Sequence, residues 1–110
     1  MTFGEPFPAY DKAGLPITAE EWGKLRHDED GGLSAYARIG ETNIADGLVW
    51  VSTVWLGIDH GFGRTSAPLI FETMIFGGRY DECQWRYATR AEAEAGHERV
   101  VEALRAGEAP

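Results

Sequence analysis

Cysteine is almost missing from this chain. Cys83 stands alone, so no internal disulfide can form, and a single thiol suits a reducing cytoplasm. Long apolar runs are missing too. None reaches the roughly 18 residues that cross a bilayer, so no membrane contact is expected. The N-terminal residues hold neither a basic cluster nor an apolar stretch, and no secretion signal is expected. Cations are scarce: ten Lys and Arg stand against eighteen Asp and Glu, a formal net charge of −8. Phosphate contacts need Lys and Arg, so direct nucleic-acid binding is not expected. The acidic balance favours solubility, and it also suits a partner with a basic surface. Repeats, linkers and low-complexity stretches are absent as well. What remains, at 110 residues, is one domain spanning 1–110 with one modest core.

The strongest signals lie between residues 48 and 88. Leu48 to Leu56 is a β-branched and aromatic run, and Leu69 to Phe76 is a second. Between them sits a glycine-rich loop holding Asp59 and His60. Two such runs around a loop predict a long hairpin with an elaborated tip. Asp46-Gly47 and Gly77-Gly78 supply turns on either side. Cys83, Trp85 and Tyr87 alternate with Gln84 and Arg86, as in a half-buried strand. A weaker strand is expected over Ser34 to Ile39.

Helices flank these strands. Thr18 with Glu21, and Thr89 with Glu92, are each spaced as a capping box. They predict helices over about 18–28 and 89–106. In the second, Ala93, Gly96, Val100 and Leu104 form an apolar stripe with His97 and Val101 beside it. Gly96 in mid-helix implies close approach to the sheet. Before the first helix, Phe7 to Ile17 reads as two extended pieces around a turn at Asp11 to Gly14. The expected fold is therefore α+β: a four-stranded antiparallel meander, two helices over one face, and a short N-terminal hairpin. Both sheet faces carry large apolar groups, so a homodimer through the second face is expected.

Several stretches carry a resemblance. VSTVWLGIDHGFG (51–63), PLIFETMIFGG (68–78) and WRYATRAEAEAGH (85–97), with the opening YDKAGLPITAEEW (10–22), resemble small proteins of tailed phages and prophages. The likeness runs from about Tyr10 to Val101 and is weakest from Asp28 to Asp46. It implies a phage or mobile-element origin and a place in the host cytoplasm. Small phage proteins of this size include inhibitors of host defence, and the resemblance supplies no catalytic residues.

Four arrangements could carry chemistry. Asp59 and His60, with Glu72 and His97, have the donor types of a divalent metal site, His60 and His97 being the candidate ligands. No HxH, HExxH or CxxC spacing supports them. The alternative is a turn held by Asp59, with each His bonded locally. Cys83 with a histidine has nucleophile chemistry, but its place beside Trp85 reads as packing, and there is no GxSxG. Gly57, Gly61 and Gly63 with Arg64, Thr65 and Ser66 could cradle a small anion such as a nucleotide, although no Walker motif is present. Trp50, Trp55, Trp85, Tyr87 and Phe62 could pack the core or anchor a partner.

No catalytic set and no cofactor is expected from these patterns. The leading expectation is a binding protein that occludes a host or phage protein through Asp59, His60, Phe62, Arg64, Glu72 and Trp55. The alternative is a small-ligand or nucleotide-sequestering module, or a minimal enzyme, built on the 57–66 loop.

Overall fold

In the computed structural model, residues 8–110 are described. Phe7, the first residue of the expected extended piece, lies outside them. The N-terminal hairpin forms around its Asp11 turn. The Asp11 carboxylate accepts the N–H groups of Ala13 and Leu15, both at 2.9 Å. This ties β1 (Ala9–Tyr10) antiparallel to β2 (Pro16–Ile17).

Helix α1 (Ala19–Arg26) starts at the predicted capping box. The Thr18 hydroxyl accepts the Glu21 N–H at 3.1 Å, and the Glu21 carboxylate accepts the Thr18 N–H at 3.2 Å. Two orphan donors are thereby satisfied. Four strands follow: β3 (Arg38–Ile44), β4 (Val49–Trp55), β5 (Phe71–Phe76) and β6 (Gln84–Tyr87). They form an antiparallel meander in the order β3-β4-β5-β6. Helix α2 (Arg90–Arg105) closes the fold from a second capping box, Thr89 with Glu92.

The first sheet strand lies later than expected. Residues 34–37 form a turn, not the start of a strand. The Ser34 hydroxyl donates to the Leu25 carbonyl and accepts the Ala37 N–H. Local side-chain bonds of this kind compete with a ladder. Ladder pairing begins only at Arg38 opposite Val54, and a register shift between Arg38 and Gly40 marks a bulge.

Helix placement also differs from expectation. Of the two helices only α2 lies over the sheet, where it packs on all four strands. Beneath it, Val51, Thr53 and Trp55 of β4 and Phe71, Thr73 and Ile75 of β5 are fully buried. Val100, Val101 and Ala93 are the helix side of this layer. Helix α1 instead sits against β1, and its Trp22 indole donates to the Leu56 carbonyl at 2.8 Å. A helix this short, with no buried residue of its own, lacks the apolar stripe to span a sheet. The sheet's other face carries Trp50 stacked on Phe76, ring centroids 4.8 Å apart, with Met74 and Val54 further along.

Candidate docking site at the loop between β4 and β5

The loop between β4 and β5 is built around one carboxylate. Asp59 accepts the N–H groups of Gly61 at 2.7 Å, Leu69 at 2.9 Å and Gly63 at 3.1 Å. Partial burial works against its charge. The backbone donors from Leu69, Gly61 and Gly63 outweigh that and, with nearby His60, hold its pKa below the usual carboxylate value. Asp59 therefore acts as a staple that joins both limbs of the loop. His60 is half-buried, with Nδ1 2.9 Å from the Ile58 carbonyl. Its N–H donates to the Leu69 carbonyl at 2.9 Å, which adds a second cross-tie.

This bonding answers the anion-cradle expectation. The N–H groups of Gly61 and Gly63 already donate to the protein's own carboxylate, so they do not converge on an outside phosphate. Thr65 donates to the Ala67 carbonyl at 2.8 Å. Arg64 leans over Phe62, 5.8 Å from its ring centroid.

Phe62 is the unusual residue. Its φ is +51°, in the left-handed region, and its side chain is 69% exposed. A bulky residue at positive φ costs roughly 1–2 kcal/mol and persists only when its surroundings impose it. The stapled loop imposes it here. Beside the ring is a hollow of about 510 Å³ lined mainly by Pro8, Tyr10, Ile58, Phe62 and Pro68.

Two expected site residues are elsewhere. Trp55 is fully buried, and its indole donates to the Tyr10 carbonyl at 3.0 Å. It locks the N-terminal hairpin to the sheet and is not available as an anchor for a partner. The reason is the choice of face: Trp55 shares its side of β4 with Val51 and Thr53, and α2 covers that side. Glu72 points from the opposite face, where it pairs with Arg86 at 3.0 Å. Its charge also acts on Arg26 of α1, which is partly buried. Thus Asp59, His60, Phe62 and Arg64 share the tip, while Glu72 and His97 do not join them. Among the described residues, no three His, Cys, Asp or Glu side chains gather as ligands for one ion. Cys83 is half-buried and packs with the Val51, Ile75 and Val100 cluster, as a small apolar residue does.

A polar chain under α2 was not foreseen from the sequence. His97 Nε2 lies 2.9 Å from the Thr42 hydroxyl, and Nδ1 lies 2.8 Å from the Thr53 hydroxyl. Thr53 continues to Thr73 at 2.5 Å, and the Tyr87 hydroxyl donates to Thr73 at 3.1 Å. Two glycines make room. A Cβ on Gly40 would press on the His97 ring at 3.2 Å, and one on Gly96 would overlap the Tyr87 hydroxyl and ring. The available signal was faint: two threonines at the middle of strands whose same-side neighbours are Val51 and Ile75.

The chain matches no family model, no curated protein and no solved structure.

Proposed function

We propose that this is a non-enzymatic accessory protein of phage or mobile-element origin that acts in the host cytoplasm by binding and occluding a partner protein. The observation that carries the reading is Phe62: a large aromatic ring held exposed in a strained backbone conformation, on a loop stapled rigid by Asp59. Strain kept at an exposed aromatic points to function, because a glycine or asparagine would fill the position at lower cost. The hollow beside it gives a partner's apolar side chain a place to bury. Rigid anchors of this kind lose little entropy on binding. The Asp59 carboxylate, the Gly61 and Gly63 N–H groups and the Thr65 hydroxyl near Phe62 are bonded within the loop, which favours docking over catalysis or ligand capture. The net charge of −8 favours rapid encounter with a basic partner surface and predicts a salt-sensitive on-rate.

The stacked Trp50 and Phe76 pair on the sheet face away from α2 supports a second part of the proposal, a homodimer through that face. Light scattering that returns the mass of one chain at micromolar concentration would remove this part alone.

The main test compares affinity purifications of the wild type, Phe62→Ala and Leu15→Ala from host cells carrying the phage or element. Leu15 is an exposed apolar control in the N-terminal turn. One partner should be enriched by the wild type and by Leu15→Ala. Phe62→Ala should reduce its recovery about tenfold or more, the size of a central aromatic contact. Equal recovery with Phe62→Ala, or no enriched protein at all, defeats the proposal.

A further inference from the structure

The chain from Thr42 to Tyr87 has a direction that follows from counting protons. Tyr87 donates to Thr73. Among the described residues, Thr73 has only Thr53 and Tyr87 as side-chain partners, so its own hydroxyl proton goes to Thr53. Thr53 then gives its proton to His97 Nδ1. That leaves the ring's single proton on Nε2, donated to Thr42. The assignment rests on this network, as tautomers in proteins generally must. Every link is satisfied only while His97 is neutral. Among the described residues no buried side-chain polar atom lacks a partner.

Proton uptake breaks the pattern. A charged imidazole carries a second N–H at Nδ1, which needs an acceptor where Thr53 now donates. Thr53 would lose the acceptor for its own proton. If the hydroxyls reversed in sequence, the surplus proton would fall to Tyr87, whose oxygen is pressed against Gly96. Either way one buried O–H has no acceptor, at the seam where α2 meets β4, β5 and β6. We propose that the seating of α2 on the sheet is conditional on neutral His97, so that mild acid loosens the helix.

The charged surroundings do not rescue the imidazolium. From the sheet the ring meets Thr42, Thr53 and the backbone of Gly40, all uncharged, with Thr73 and Tyr87 behind. From α2, Glu98 favours the charged ring, and Glu102 and Arg105 line the same hollow with opposite signs. Burial is the larger influence and holds the His97 pKa below the usual histidine value. The sign follows. A folded pKa below the unfolded one means that proton uptake favours the open form. Seating is therefore complete above the ordinary histidine value near 6.5 and weakens as pH falls through it toward the lowered folded value.

The test is amide hydrogen exchange of the full chain between pH 7.5 and 5, corrected for intrinsic exchange rates. Protection of Val100 and Val101 should fall several-fold in the wild type and in His27→Gln and His60→Gln. His97→Gln offers one donor and one acceptor without titrating, so its α2 protection should be flat over this range. Nitrogen-15 shifts of the wild-type ring provide a second measurement that needs no variant. They should show the Nε2–H tautomer and a titration below the ordinary histidine value near 6.5. Unchanged pH dependence in His97→Gln, an Nδ1–H tautomer, or α2 protection indifferent to His97 titration would overturn the proposal. This result is independent of what the tip binds.

Discussion

Replacing Gly96 by alanine tests the packing of α2 most directly. In an exposed helix this change is favourable by about 1 kcal/mol, because glycine loses more backbone freedom on folding. Here the added Cβ would overlap the Tyr87 hydroxyl and ring. Tyr87 cannot move freely, since it is buried and its hydroxyl donates to Thr73. Overpacking a fixed ring costs about 1–3 kcal/mol. Dislodging the Tyr87 to Thr73 bond costs about 1 kcal/mol more. The propensity gain offsets only the last of these, so Gly96→Ala should lose about 1–3 kcal/mol net. At this chain length that lowers the melting temperature by about 4 °C or more. Gly23 is the internal control. It too lies inside a helix, but a Cβ there meets nothing within 4 Å. Gly23→Ala should be neutral or stabilising by up to about 1 kcal/mol. Urea unfolding of both variants, read by circular dichroism, gives the comparison. If Gly96→Ala is as stable as Gly23→Ala, the close approach of Tyr87 to α2 is wrong and so is the reasoning built on it.

Other perturbations have equally definite directions. Thr53→Val keeps the shape of the side chain but leaves His97 Nδ1 and the Thr73 proton without a partner, and should cost about 2 kcal/mol or more. Thr42→Val, at a half-buried site with one such bond, should cost about 1 kcal/mol, and the reverse ranking in urea melts would contradict the chain. Phe62→Gly should raise stability by up to about 1 kcal/mol through relief of positive φ while abolishing partner binding; a lower melting temperature would show that the ring supports the fold instead. Asp59 has a lowered folded pKa, so its contribution is complete above the unfolded carboxylate value near 4 and is lost as pH falls through the lower folded value. Asp59→Asn should therefore flatten the acid limb of a stability profile below about pH 4, and an unchanged limb would count against the staple.

Much of this architecture is legible in the sequence. Both capping boxes sit where Thr18 with Glu21 and Thr89 with Glu92 predicted, because capping depends on residues three apart in the chain. The strands from Val49 and to Phe76 followed from β-branched and aromatic runs, and the meander from short turns. A glycine in mid-helix marks the close approach of Tyr87 to Gly96. The start of β3 was not legible, since Arg38 to Ile44 is mostly polar and becomes a strand by pairing with β4. Alternation grouped Trp55 with Thr53 and Val51, yet it cannot say which face a helix will cover. That single choice decides whether Trp55 is core or contact. The tip came out partly: Asp59, His60, Phe62 and Arg64 are neighbours in sequence, whereas Glu72 sits on a strand face set by long-range packing. The chain through His97 joins residues as far as 55 positions apart, beyond any local pattern.

The attachments of the N-terminal region carry a consequence for how the chain is made. Lys12 donates its N–H to the Tyr36 hydroxyl, Tyr10 donates to the Gly57 carbonyl, and Trp22 donates to that of Leu56. Each acceptor is translated 24 to 47 residues after its donor. The segment from Tyr10 to Trp22 therefore lacks these three acceptors until β4 and the residues just after it have been made. It should join a platform already assembled from adjacent hairpins. Trp22 substitutions should accordingly speed unfolding far more than they slow folding.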